Sequence, residues 1–341
     1  MDEINTQPAA WQNALETIGA QRDALRSLVK RPYGQVLFAG CGSTYYLSLA
    51  GSALFQELTG RVSRAFPAGE LLLNPGMVFD ASPALLVAVS RSGTTTETIK
   101  AVQRFKEEKR GQVIVITNYG DSPLAALADV LLAIPQGQEQ SVAQTRSFAS
   151  MYVAAAAFSA LSAGREDDLA AMANLPSVGE ALLSRYAGLA REMGENLAYD
   201  RFYFLGSGAR YGLACETSLK MKEMTLTHSE PFHFLEFRHG PMSMVSKSTV
   251  VVGLVSQASR AHEMAVLDEM QALGGTILTL GEGGTGSSAG TLLAFDSGLP
   301  EAVRGVLYLP ALQLLGFYRS LAKGLNPDQP TNLTAVVKLS W

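Results

Sequence analysis

Short apolar runs recur along the chain, ending in glycine or serine or followed by polar residues, and each leads into a stretch with helical periodicity. Val36-Leu-Phe-Ala-Gly40, Leu86-Val-Ala-Val89-Ser90 and Gly111-Gln-Val-Ile-Val-Ile116 are three of them, and Phe202-Tyr-Phe-Leu-Gly206, Val252-Gly-Leu-Val255-Ser256 and Gly275-Thr-Ile-Leu-Thr-Leu280 are three more. Unbroken apolarity marks strands covered on both faces, and a helical stretch after each strand is the crossover that a parallel sheet requires. The runs also pair off. Gly40 and Gly206 stand 166 residues apart, as do Ser90 and Ser256, whereas Gly111 and Gly275 stand 164 apart, so one unit is written twice with a small indel. The pattern predicts an α/β protein of two tandem doubly wound parallel-sheet domains, each a Rossmann-like three-layer αβα arrangement with ligands beyond the carboxyl ends of its strands. An amphipathic helix over about Pro8–Leu28 defines an N-terminal segment 1–32, followed by a first domain 33–165. Around Ala163–Glu180 the chain carries Gly, Pro and clustered Asp and Glu, which predicts a linker over 166–190, a second domain over 191–325 and a tail over 326–341.

Composition narrows the class. At 341 residues the chain is long for one domain and natural for two. Its 27 basic residues nearly balance 31 acidic ones, so no strong field recommends nucleic acid or an anionic membrane as a partner. Two cysteines, Cys41 and Cys215, are too few for a disulfide framework, and Asp2, Glu3, Glu16, Arg22 and Asp23 interrupt any signal-peptide core. A cytoplasmic protein is expected. The longest apolar stretch, Met151–Ala163, is broken by serines and too short to cross a bilayer; its Tyr152–Ala160 part is expected to offer apolar surface for association.

Chemistry concentrates in two places. After the run ending at Val89, five hydroxyls fall between Ser90 and Thr96 around Gly93, and Thr94-x-x-Glu97 reads as a capping box that opens a helix. A helix N-terminus faced by hydroxyls favours an anion, although the same hydroxyls can simply cap the backbone. Gly40-Cys41-Gly42-Ser43-Thr44 is a second close-approach loop; Tyr45 follows and no third glycine completes a dinucleotide fingerprint. Ser141-Val142-Ala143-Gln144-Thr145-Arg146 adds a polar segment with a cation. In the second copy, Ser256-Gln257-Ala258-Ser259-Arg260 has lost the glycine and most hydroxyls, so only the first copy is expected to bind phosphate.

The other place is Glu216–Met244. Glu216, Lys220 and Glu223 share one helical face, an arrangement common in solvated salt-bridge rows. Here it leads into His228, Glu230, His233, Glu236 and His239, the last beside a Gly-Pro turn and suited to proton transfer. The histidine spacing matches no standard metal-ligand pattern and no cysteine assists, so no metal is expected; His228 and His233 suit structural polar packing.

These motifs resemble those of the sugar isomerase (SIS) superfamily, in particular the isomerase half of the glutamine:fructose-6-phosphate aminotransferases. Cys41-Gly42-Ser43-Thr44 is similar to the family's Cys-Gly-Thr-Ser, and Ser90-Arg91-Ser92-Gly93-Thr94-Thr95 to its Ser-Gln-Ser-Gly-Glu-Thr phosphate loop. Ser141-Val142-Ala143, the helix Glu216–Glu223, Glu236-Phe-Arg-His239-Gly-Pro241 and the tail Asp328-Gln329-Pro330-x-Asn332-Leu333 follow in the family's order. Glu3-Ile4-x-x-Gln7-Pro8 also has a counterpart, so the resemblance spans essentially the whole chain. It implies that Ser90, Arg91, Ser92 and Thr95 hold a sugar phosphate. Cys41, Gly42, Ser43, Thr44, Val142, Gln144 and Glu236 are expected to complete the pocket, with Lys220 among the catalytic residues. The resemblance further implies that Glu223 moves a proton between C1 and C2, and that His239 opens the ring and reaches the site of a partner in a homodimer. No cofactor is expected.

The departures matter as much. Residue 2 is Asp where the aminotransferase's glutaminase domain has its nucleophilic cysteine, so glutamine-dependent synthesis is not expected from this chain. Ala335 falls where the family has an imine-forming lysine, and Lys338 stands three residues on. Gln144 replaces a serine and Arg91 a glutamine. These changes suit an aminosugar-phosphate deaminase/isomerase or a fructosamine-phosphate deglycase. A plain sugar-phosphate isomerase, the isomerase component of an aminotransferase-like enzyme and a non-catalytic sugar-phosphate sensor are the alternatives. A sensor has no reason to keep Glu223 and His239, and the sequence holds no DNA-binding segment or basic patch.

Overall fold

The computed structural model describes residues 1–79, 82–283, 290–334 and 336. The chain divides into two compact units. One comprises Thr6–Gln140, Gln144–Pro176 and the described residues from Thr334 on; the other comprises Met1–Asn5, Ser141–Ala143 and Ser177–Leu333.

The first unit is built on β1 (Gln35–Gly40), β2 (Ser63–Pro67), β3 (Ala84–Val89), β4 (Gly111–Thr117) and β5 (Val130–Ala133). These are parallel throughout, in the order β2-β1-β3-β4-β5. β1 and β3 are buried at every position, the condition that produces their unbroken apolar runs. Leu37, Ala39, Leu86, Ala88, Val113 and Val115 meet Phe105 in the core. The order reverses between β1 and β3, and in such sheets ligands gather at the carboxyl ends around that switch. Both loops singled out in the first copy leave the sheet there.

The second unit repeats the plan with β6 (Arg201–Gly206), β7 (His228–Phe232), β8 (Thr249–Leu254), β9 (Thr276–Gly281) and β10 (Thr291–Ala294), parallel in the order β10-β9-β8-β6-β7. Tyr203, Leu205, Val251, Leu267 and Ile277 form its core. The tandem doubly wound α/β architecture is therefore as expected. The duplication reaches backbone geometry: Gly42 (φ 58°, ψ −125°) and Gly208 (φ 57°, ψ −134°) each open the helix after the first strand of their unit. Both lie in a conformation that only glycine adopts at low cost.

Several local expectations change. The helix expected over Pro8–Leu28 is divided into Gln7–Ala20 and Arg22–Val29, with Gln21 outside the helical range. Residues 166–190, expected as a linker, are largely helical, in Glu166–Met172 and Leu175–Glu195. The acidic cluster behind the linker reading, Glu166, Asp167 and Asp168, lies in the first turn of a helix, where negative charge complements the dipole. Tyr152–Ala160 offers no surface for association: the helix Arg146–Ser162 is buried from Ser147 to Leu161, packed against Gln7–Ala20 and Ser43–Thr59. No helix among the described residues is long and apolar enough to cross a membrane.

Candidate active site

In the first unit, β3 runs into Ser90 and the next helix begins at Thr96, with Thr95 at its cap position. The capping box expected from Thr94 and Glu97 does not form, because the helix starts later and has no side-chain cap. The Thr94 hydroxyl instead donates to Ser92 Oγ at 2.9 Å, and Ser92 Oγ also accepts the Thr94 amide at 3.2 Å. Ser90 Oγ accepts the Gly93 amide at 3.1 Å and lies 3.5 Å from Thr95 Oγ1. Four hydroxyls thus surround a turn whose pivot, Gly93, has φ 63°. This is a hydroxyl-rich loop at a helix N-terminus, the kind of setting in which backbone amides and the helix dipole favour an anion.

The loop after β1 borders it. Thr44 Oγ1 accepts the Cys41 amide and donates to the Cys41 carbonyl, both at 2.9 Å, which closes a tight turn through Gly42. Ser43 and Thr44 are buried. Cys41 Sγ is 3.6 Å from Thr98 Oγ1, on the helix that follows the phosphate loop. Burial pushes the Cys41 thiol above its ordinary pKa, so this cysteine is held as a neutral packing group rather than a nucleophile.

Arg91 is not an exposed cation over the loop. It is 7% exposed, and its Nη1 is 3.9 Å from Glu139 Oε1. Glu139 escaped the sequence reading. Its carboxylate accepts the amides of Thr145 and Arg146 at 3.1 and 3.0 Å, at the start of the helix Arg146–Ser162, and so ties that helix to the phosphate loop. Nothing in the polar stretch Gln136-Gly-Gln-Glu139-Gln signals this role. Gln144 Oε1 accepts from Ser147 Oγ at 3.3 Å. Arg146, the cation expected near the ligand, donates to the Thr6 hydroxyl and the Gln138 carbonyl.

In the second unit, the helix Ala209–Thr225 carries Glu216, Lys220 and Glu223 on one face as expected, but the face is not a solvated row. Lys220 Nζ lies 3.4 Å from Glu216 Oε1 and also donates to Glu223 Oε2. Side-chain exposures are 2% for Glu216, 4% for Lys220 and 20% for Glu223. The ammonium is therefore shared between a sealed carboxylate and one that reaches solvent. A positioned, accessible carboxylate of this kind is what proton abstraction from carbon requires.

The histidines separate. His228, at the start of edge strand β7, lies 3.8 Å from Glu230, while His233 stacks on Tyr211 with ring centroids 3.9 Å apart. Desolvation lowers the His233 pKa, although the residue is exposed, so the Tyr211 stack rather than burial is what holds its ring. His239 and Glu236 are exposed on the segment that follows, where the His239 amide donates to the Glu236 carbonyl at 2.9 Å. Among the described residues no group of three His, Cys, Asp or Glu side chains is placed to hold a metal ion. Val142 belongs to this unit, and its amide donates to the Asp328 carbonyl at 2.9 Å, joining the Ser-Val-Ala segment to the tail motif. Ala335 and Lys338, on which the imine argument turned, lie outside the described residues.

Fold and loops together define a tandem doubly wound α/β protein with a hydroxyl-rich loop at the switch point of its first sheet. A family model described as SIS domain matches residues 31–161 and 198–289, and the chain belongs to this family. The chain is 26% identical over 348 residues to the glutamine--fructose-6-phosphate aminotransferase [isomerizing] of Methanothermobacter thermautotrophicus, covering 99% of this chain and 57% of that protein. It thus spans little more than half of that relative. The crystal structure of glucosamine-6-phosphate deaminase from Thermotoga maritima superposes with a TM-score of 0.71 at 29% identity, covering 96% of this chain and 100% of that one. That of tagatose-6-phosphate ketose/aldose isomerase from Escherichia coli superposes with a TM-score of 0.86 at 24% identity, over 97% and 95%, a likeness of fold.

Proposed function

We propose that this chain is an aminosugar-phosphate aldose/ketose isomerase of the glucosamine-6-phosphate deaminase or fructosamine-6-phosphate deglycase type. The observation that carries this reading is the row Glu216–Lys220–Glu223, buried at one end and accessible at the other. The loop from Ser90 to Thr95 is assigned the substrate phosphate by its hydroxyls and helix N-terminus. Assignment of loop and row to one substrate rests on the SIS family pattern. The amine is supported by the two relatives whose names carry one, the aminotransferase and the deaminase.

Interconversion of an aldose and a ketose moves one proton between adjacent carbons. Glu223 takes it from C2 or C1, and the electron pair left behind passes onto the carbonyl oxygen as an enediolate or its amine analogue; with an aminosugar, protonation of the neighbouring carbon leaves an imine that water hydrolyses to the ketose and free ammonia. The same carboxyl then returns the proton to the neighbouring carbon. Lys220 fixes the carboxylate through Oε2, which limits the side-chain freedom that would otherwise oppose proton transfer. His239 is assigned ring opening. Its exposure on a segment with the large apolar side chains Leu235 and Met244, each 52% exposed, suits a residue donated across a homodimer contact.

Glu223→Gln tests the reading, since it keeps size and hydrogen bonding and removes basicity. The variant and the wild-type protein are assayed against hexosamine and fructosamine 6-phosphates for ammonia or amine release. Exchange of the C1 and C2 protons with solvent is followed by proton NMR. Substrate affinity is expected to stay within a few-fold while turnover and exchange fall together by about 10²–10⁴. Near-normal exchange in the Gln variant moves the role to another carboxylate, with Glu236 first in line.

A further inference from the structure

The loop after β8 has lost the glycine and hydroxyls of its counterpart but has kept the geometry of an anion receptor. Three consecutive amides donate to carboxylates. The Ser256 amide donates to Glu263 Oε2 at 2.6 Å, and those of Gln257 and Ala258 to the two oxygens of Glu301 at 2.9 and 3.3 Å. Successive amides converging on an anion form a nest, the arrangement that holds phosphates in many loops. The chain's own Glu301 sits in it. Glu301 is also 2.9 Å from Arg210 Nη1.

Around this loop the second copy has gained cations. At the 166-residue offset, Arg210 replaces Thr44 and Arg260 replaces Thr94, so two positions that carry hydroxyls beside the first loop carry guanidinium groups here. A third, Arg304, is 2% exposed and donates from Nη2 to the Gln257 side chain at 3.1 Å, which places it at the loop. Its Nη1 donates to the Leu299 carbonyl at 2.8 Å and lies 3.8 Å from Glu282 Oε2. Arg260 Nη1 reaches the Glu282 carbonyl at 3.4 Å. Each of the three guanidinium groups nevertheless keeps a buried nitrogen with no hydrogen-bond partner among the described residues: Arg210 Nε, Arg260 Nη2 and Arg304 Nε. Buried donors without acceptors are costly, and those of Arg210, which meets Glu301, and Arg304, which meets Gln257, mark a place with more donors than the described residues satisfy, with Arg260 next to it at Glu282. Glu301, by contrast, is a quarter exposed at its side chain and follows the turn at Gly298 and Pro300, so it can leave the nest without unpacking a core.

We propose that the second unit holds a second anion site, for the phosphate of a phosphomonoester, in which the Gln257 and Ala258 amides and Arg210, Arg260 and Arg304 receive the ligand as Glu301 swings out, while Glu263 keeps the Ser256 amide. Glu301 is then an internal competitor. With it displaced, the three guanidinium groups outnumber the two carboxylates placed beside them among the described residues, Glu263 and Glu282, and the site carries an excess of positive charge for the incoming dianion. This site is separate from the loop at Ser90–Thr95 and does not depend on the reaction assigned above.

Inorganic phosphate titrated into the full chain by isothermal calorimetry tests the proposal. Two phosphates per chain are expected in the wild-type protein. Glu301→Ala is expected to tighten one of them about tenfold or more, because the internal competitor is gone. That gain should survive Ser92→Ala and be lost when Arg210→Gln is added. Glu301→Gln, which keeps the shape and drops the charge, replaces Glu301→Ala if the latter fails to fold. One phosphate per chain at saturation in the wild-type protein overturns the proposal. So does a tightening that Ser92→Ala abolishes, or one that persists with Arg210→Gln, because the anion then lies elsewhere.

Discussion

Replacing Gly93 by alanine tests whether the phosphate loop is held by the close packing that the structure describes. A Cβ on Gly93 falls 1.9 Å from Ser122 Oγ and 2.4 Å from Ser122 Cβ, and the backbone there has φ 63°. Holding a non-glycine residue in the left-handed region costs about 1–2 kcal/mol. Ser122 is 6% exposed and cannot step aside into solvent, so overpacking adds about 1–3 kcal/mol. Loss of chain entropy in the unfolded state returns about 0.4–1 kcal/mol. Gly93→Ala is therefore expected to destabilise the first unit by about 2–4 kcal/mol. The assay is urea unfolding followed by fluorescence of Trp11, which is fully buried in that unit, in a Trp341→Phe background. Ser122→Gly removes both clashing atoms, so in a double-mutant cycle it should recover about 1–3 kcal/mol of the loss. Phosphosugar affinity should follow, because the Gly93 amide is tied to Ser90 Oγ. Wild-type stability in Gly93→Ala, or no coupling with Ser122→Gly, refutes the packing argument.

Three further outcomes are expected. Ser92→Ala or Thr95→Ala should weaken binding of a phosphorylated hexosamine by about 1–3 kcal/mol, as for hydrogen bonds lost to a charged group; unchanged affinity across the substrates tested removes the loop from the site. Mixing Glu223→Gln subunits with His239→Asn subunits should restore partial activity, and confirmed hybrids that stay inactive count against a shared site. Glu263 is buried, and desolvation raises its pKa above the ordinary 4.5, so its contribution favours folding below pH 4.5 and is lost as pH rises through the folded value. Glu263→Gln should therefore gain stability over the wild-type protein at neutral pH and lose that advantage in acid. Thermal unfolding midpoints that differ equally across the pH range contradict this.

What could be read from the sequence was whatever lies close together in the chain. β1, β3, β4, β6, β8 and β9 announce themselves because interior parallel strands are apolar on both faces. The edge strands did not: β2 carries Arg64, and β7 is His228-Ser-Glu-Pro-Phe232, whose Pro231 is tolerated because, among the described residues, no strand pairs with its outer side. The hydroxyl-rich turn from Ser90 to Thr95 was legible because its hydroxyls lie close together in the chain. The row Glu216–Lys220–Glu223 was legible as a face, but whether that face met water or protein depends on what packs over it, and helical spacing carries no such information.

The loops after β3 and β8 show the same limit from the other side. The 166-residue offset that revealed the duplication sets Arg210 against Thr44 and Arg260 against Thr94. Read locally, that divergence looks like loss of an anion site, since glycine and hydroxyls disappear. The carboxylate that occupies the second loop comes from Glu301, more than forty residues downstream, just as the one that orders the first comes from Glu139, past β4 and β5. Neither could be paired with its loop by spacing, because chain separation says nothing about which residues a crossover returns to the same sheet end. The two carboxylates act differently, and the difference follows from what each accepts. Glu139 bonds the amides of another helix and steadies Arg91 beside a loop that keeps its own hydroxyls. Glu301 takes the loop amides themselves, the position an incoming anion has to occupy, and so it can be displaced by one.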